Sequence, residues 1–180
     1  VVKMTGKEIK DYLEHSYDGW INTLDRKQDH VLKMRGFTNP RTGRQMWMFG
    51  TSAYNLDSAG GLVYEVDVTK PFGERVFVRS LADGNAFDES AEYKVAMNSY
   101  RARGGADLMK KAGVDTENID ARIAGVHADI RTLLNDYIEA NTPVDHAKVS
   151  NPEVIGHWSF VPEKKARKAM DNDIRLLLNR

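Results

Sequence analysis

Three alternating runs between Leu62 and Met97 constrain the fold more than any other part of the chain. Leu62, Tyr64, Val66 and Val68 alternate with Val63, Glu65 and Asp67; a second run spans Arg75 to Leu81; and Tyr93, Val95 and Met97 alternate with Lys94, Ala96 and Asn98. A period of two marks a strand with one face buried. Lys70-Pro71 stops the first run, Phe72-Gly73 turns the chain, and Asp83-Gly84 supplies a tight turn of the hairpin kind. Strands in such close succession favour a mixed, largely antiparallel sheet over a doubly wound parallel one. The expected class is therefore α+β, with amphipathic helices packed on that sheet.

The helices are legible from caps and periodicity. Thr5-Gly6-Lys7-Glu8 is a capping-box pattern, and Ile9, Tyr12, Leu13, Tyr17 and Trp20 then fall on one helical stripe that should be core. Ile130, Leu133, Leu134, Tyr137 and Ile138 form a second stripe, stopped by Asn141-Thr142-Pro143. A short helix from Asp107 to Ala112 should end at Gly113, and Lys164 to Arg180, charged first and apolar last, reads as a helix laid on the surface. Asp25 to Gly43 reads as a long irregular connection with one short strand at Val31 to Met34. Brief strands are expected at Asp120 to Val126 and around Val154, Ile155, Trp158 and Phe160. With 180 residues, 41% of them hydrophobic, and no internal repeat, residues 1–180 read as a single domain.

Composition removes several function classes. The 26 basic residues match 26 acidic ones, which argues against a dedicated binder of nucleic acid polymers. No run approaches the roughly 20 apolar residues of a transmembrane helix. The absence of cysteine excludes a disulfide framework, a thiolate nucleophile and Cys-based zinc sites. The histidines are scattered, and the nearest approaches to a metal signature, His127-Ala128-Asp129 and Asp145-His146, read more simply as surface residues and helix caps. Gly60-Gly61 precedes a strand and lacks a following Lys-Ser/Thr, so it is a turn and not a phosphate loop. No catalytic or metal-ligating residue is assigned.

One stretch concentrates binding chemistry. Tyr93 to Leu108, YKVAMNSYRARGGADL, delivers Tyr100 at the end of a strand, flanks it with Arg101 and Arg103, and follows with Gly104-Gly105. An aromatic ring, two cations and glycine backbone that a ligand could approach closely suit a flat anionic molecule. Solvated arginines beside a strand-end aromatic would give the same pattern, and spacing leaves both readings open.

The motifs in order resemble a known family. V-K-M-T-G-K-E-I-K-D-Y-L-E at Val2 to Glu14, Tyr54-Asn55 with Asp57, Gly61, Y-E-V-D-V-T-K-P at Tyr64 to Pro71, G-E-R-V at Gly73 to Val76, and N-S-Y-R-A-R-G-G at Asn98 to Gly105 resemble the C-terminal domain of bacterial 5′-nucleotidases. The closest type is the bifunctional 2′,3′-cyclic-nucleotide 2′-phosphodiesterase/3′-nucleotidase. The likeness covers about residues 1 to 112, with a weaker echo at His157 to Phe160. It implies a nucleoside-binding specificity domain working in cis with an N-terminal metallophosphatase domain that holds two divalent metal ions. This stretch itself would need no cofactor. The resemblance makes Tyr100 one of two aromatics that sandwich the base, with Asn98, Gly104 and Gly105 shaping that side of the pocket and Arg101 as a helper. The other aromatic and an arginine-bearing segment would lie upstream of Val1, so the resemblance implies a domain whose start, like the phosphatase domain, precedes this sequence. Where some relatives place a ribose-binding Asp after the double glycine, this chain has Ala106, with Asp107 one residue later. A periplasmic or secreted location is the corresponding expectation. The alternative from another class is a non-catalytic binding or protein-interaction module on the same fold.

Overall fold

The computed structural model describes residues 1–25, 30–145 and 157–178. The chain enters as strand β1 (Val2–Thr5) and passes directly into helix α1 (Gly6–Trp20). The expected capping box sets this junction: the Glu8 N–H donates to Thr5 Oγ1 at 3.2 Å and the Thr5 N–H to Glu8 Oε2 at 2.8 Å. Both bonds satisfy amides that the first turn of a helix leaves free.

Among the described residues seven strands form three small sheets. β1 pairs antiparallel with β6 (Glu92–Val95), and β2 (Met34–Thr38) pairs with β3 (Gln45–Phe49) as a hairpin. β4 (Leu62–Asp67) is central in the third sheet, antiparallel to β5 (Val76–Leu81) and parallel to β7 (Trp158–Val161). The mixed, largely antiparallel character holds, but the third of the successive strands does not join the first two. β6 instead finds its backbone partners in β1, and β5 remains an edge strand of the third sheet.

The core lies where α1 meets β4. Ile9, Leu13, Tyr17 and Trp20 are buried against Leu62, Tyr64, Val66 and Val68, which are the alternating residues that define the strand. At its centre the Tyr17 and Tyr64 hydroxyls bond at 2.9 Å, and Tyr64 accepts from the Ala59 N–H at 3.1 Å, so these phenols enter the core with their polar ends paired. Trp158 stacks on Tyr64 with centroids 6.0 Å apart. Two buried charged groups organise the rim. Glu14 accepts from the backbone N–H groups of Gly73, Arg75 and Val76, and Arg75 donates to Asp18, Thr23 and the Lys70 carbonyl.

Several expectations change. The connection from Asp25 to Gly43 is less irregular than its polar residues suggest, because Met34 to Thr38 is a strand whose cross-strand partners supply the order. The strand proposed at Val31 to Met34 is instead an isolated bridge, Leu32 to Ile21, followed by β2. Asp120 to Val126 is not a strand: Ile119–Arg122 is a 3₁₀ turn, and Ile123 alone bridges to Val2. Trp158 and Phe160 lie in β7, whereas Val154 and Ile155 fall outside the described residues. The last helix, α5 (Glu163–Leu178), is more than a surface strap. It buries Ala166, Ala169 and Asp173, whose small or hydrogen-bonded side chains let it approach closely, and leaves Ile174 and Leu178 half exposed. Asp173 accepts from the Leu32 N–H at 3.1 Å and pairs with His30 Nδ1 at 3.0 Å, which ties the helix to the start of the hairpin. Helix α4 (Ile130–Ala140) forms as its periodicity predicts, capped by Asp129, yet every residue of its apolar stripe is exposed.

Candidate functional site

β6 ends at Val95, and the chain runs through Asn98 into a single helical turn, α2 (Ser99–Ala102). Asn98 starts it: its Oδ1 accepts from the Arg101 N–H at 2.8 Å, the work of an N-cap residue. Successive residues of a helical turn point in different directions. Tyr100 therefore faces outward at 54% exposure, while Arg101 turns in and is 4% exposed.

The inward arginine is the hub. Its Nε donates to Asp57 Oδ2 at 2.6 Å and its Nη2 to Asp57 Oδ1 at 3.1 Å, a bidentate pair in which the planar guanidinium fork matches the carboxylate. Nη2 also donates to the Tyr54 carbonyl, and Nη1 to Asn55 Oδ1 at 3.4 Å and the Gly105 carbonyl at 3.3 Å. The hydrogen bond to Asp57 holds the Arg101 pKa above its ordinary value. Asp57 is itself gripped by α1. Its Oδ2 accepts from the Tyr12 hydroxyl, and Ser16 Oγ both donates to its carbonyl and accepts from its N–H, each at 2.8 Å. Burial, and then the bond to Asp57, pushes the Tyr12 phenol up from its ordinary pKa.

Gly105 serves Tyr100 before it serves a ligand. A Cβ on Gly105 would lie 2.5–2.6 Å from Cδ1, Cε1 and Cζ of Tyr100, so the ring rests on the Gly105 backbone. The bare backbone that the sequence offers to a ligand is thus covered by the neighbouring aromatic. Gly104 precedes it in the left-handed region (φ +92°), and the following 3₁₀ turn carries Ala106 and Asp107 at φ +61° and +57°. Asp107 is exposed, as is Arg103, which sits 3.6 Å from Asp120. Short helix α3 (Leu108–Lys111) follows and anchors the loop through buried Leu108 and Met109.

Asn98, Tyr100, Gly104 and Gly105 are thus brought together, and Arg101 is placed behind them. Tyr12 and Asp57 join the cluster from positions 45 residues apart in sequence. Asp57 and Tyr12 both stand in the motifs that carry the family resemblance, but nothing local ties either of them to Arg101. Of the metal-like pairs, Asp129 caps α4, and His146 lies outside the described residues. Among the described residues no group of three or more His, Asp or Glu side chains converges as a metal site, and no helix is long and apolar enough to cross a membrane.

Residues 1–112 match the family model of the 5′-nucleotidase C-terminal domain. The chain belongs to this family. It is 30% identical over 176 residues to the trifunctional nucleotide phosphoesterase protein YfkN of Bacillus subtilis, with 90% of this chain and 10% of that protein aligned. It is 32% identical over 174 residues to the 2′,3′-cyclic-nucleotide 2′-phosphodiesterase/3′-nucleotidase of Salmonella typhimurium, covering 90% of this chain and 24% of that one. A relative bearing the same description from Haemophilus influenzae is 30% identical over 173 residues, covering 23% of its length. The chain therefore spans between a tenth and a quarter of the curated relatives it matches. Its fold is similar to that of a Staphylococcus aureus protein described as a 5′-nucleotidase, solved with α-ketoglutarate, at a TM-score of 0.53 and 20% identity over 88% of this chain and 26% of that one. Tyr100 is an exposed aromatic presented on a clamped turn and backed by Gly105.

Proposed function

We propose that this chain is the nucleoside-binding specificity domain of a two-domain, metal-dependent nucleotidase or 2′,3′-cyclic phosphodiesterase, and that Tyr100 stacks on the base. The observation that carries the reading is the Tyr100 ring, backed by Gly105 and half open to solvent. Stacking on one aromatic contributes roughly 1–3 kcal/mol and accepts any base, since every base has a π-face. Asn98, Gly104 and Gly105 then define the ring's position. The names of the relatives supply the reaction class, hydrolysis of nucleotide phosphoesters.

Chemistry belongs, in this reading, to an N-terminal metallophosphatase domain in cis with two divalent metal ions. The chain's own contribution is to bind and orient the nucleoside so that its phosphate points away toward that domain. Periplasmic or secreted location fits such an enzyme, which would recover nucleosides from extracellular nucleotides.

Replacing Tyr100 by Ala in the full-length protein tests the assignment. KM for a nucleotide should rise roughly 5- to 150-fold with little change in kcat, the range that matches loss of one stacking contact. An unchanged KM would remove Tyr100 from the site.

A further inference from the structure

We infer that Arg101, Asp57 and Tyr12 are positioning residues that hold the Tyr100 ring at its working angle, and that Arg101 does not itself contact the ligand's anionic group. The inference rests on the base-stacking reading and deepens it. One guanidinium grips both parts of the stacking platform. Its backbone belongs to the turn that carries Tyr100, and its Nη1 donates to the carbonyl of Gly105, the residue beneath the ring. Its remaining bonds tie both parts to the Tyr54–Asp57 segment. That segment is fastened in turn to α1, which packs into the core, through Tyr12 and Ser16. The guanidinium carbon also lies 5.3 Å from the Tyr100 centroid, so the pair supports the ring directly.

Two physical arguments separate positioning from the alternatives. The Asp57 carboxylate neutralises Arg101, whose Nε, Nη1 and Nη2 are all engaged with protein oxygens, so this cation offers little to a phosphate. A partly buried ion pair also adds little net stability compared with apolar packing. What its fixed bidentate geometry does supply is orientation. Lysine keeps the charge but not the fork.

The test is a double-mutant cycle in the full-length protein, read as KM and kcat for a nucleotide. Asp57→Asn and Arg101→Lys should each raise KM about 5- to 30-fold, with kcat changed less than about 2-fold, and Tyr12→Phe, which removes only a hydroxyl, about 2- to 5-fold. In a Tyr100→Ala background the same changes should add almost nothing, because their effect runs through the ring. An equal rise in both backgrounds, or unchanged KM in all three single variants, would overturn the inference while leaving base stacking intact. If Tyr100→Ala alone leaves KM unchanged, base stacking itself falls. Should Asp57→Asn or Arg101→Lys fail to fold, Tyr12→Phe with and without Tyr100→Ala decides the matter.

Discussion

Tyr100 and Arg101 are neighbours in sequence and opposites in structure, and the reason is a single helical turn capped by Asn98. Residue types alone placed the aromatic, the cation and the glycines together but could not say which of them face outward. Arg101 finds its carboxylate 44 residues away, a pairing no local pattern encodes. Gly105 is the sharper case, since a glycine needed by a ligand and one needed by a neighbouring ring look identical in sequence. The two roles differ in consequence. In Gly105→Ala the three atoms nearest the new methyl would all belong to the side chain of an exposed tyrosine, so the ring can swing away at small cost to the fold. We expect a thermal midpoint within about 2–3 °C of wild type, a shift below roughly 1 kcal/mol, but a clear rise in nucleotide KM measured in the full-length protein. A large loss of stability with unchanged KM would show that Gly105 is structural only.

At the scale of elements, the junction of β1 and α1 shows why some features were readable. A capping box is a four-residue pattern, and Thr5 and Glu8 make both of its bonds. Its extension was not readable: Arg122 Nη1, from the 3₁₀ turn, donates to Glu8 Oε2 at 2.8 Å and so fastens a distant segment to the start of the helix. Burial disfavours the Glu8 carboxylate, but the bonds from Arg122 and Thr5 outweigh it and leave its pKa below the ordinary 4.5. A carboxyl lowered in the folded state contributes stability at pH above 4.5, where the unfolded chain would also be ionised, and loses it as pH falls through the folded value. Urea midpoints measured from pH 7 down to pH 3 should therefore fall for the native sequence below about pH 4.5. Glu8→Gln should begin lower at neutral pH and fall less steeply. Parallel curves would mean that Glu8 titrates alike in both states. The hairpin β2–β3 illustrates the opposite case, since Gly36 and the polar residues around it hide β2, which its pairing with β3 reveals.

Across the whole molecule, order is concentrated around α1 and β4, and α4 stands apart from it. Its helical period and its cap are local and were legible, whereas burial of its stripe depends on what the rest of the chain brings up, which no periodicity states. Ile130, Leu133, Leu134, Tyr137 and Ile138 are between 41% and 65% exposed, and none belongs to the core cluster. An isolated helix shorter than about 12–15 residues is marginal in water, and α4 has 11. Its caps are sound: Asp129 accepts from the N–H groups of Arg131 and Thr132, and the Asn141 amide donates to the Tyr137 carbonyl. Caps worth about 1 kcal/mol each do not replace a packed face. In the 180-residue chain at low micromolar concentration, amides of residues 130–140 should exchange with solvent deuterium orders of magnitude faster than those of α1, whose Leu13 and Tyr17 open only with the core. Exchange resolved by peptide mass spectrometry would show this directly. Protection of α4 equal to that of α1 would mean that its apolar stripe is covered in solution, and would make burial of that stripe part of what stabilises the domain.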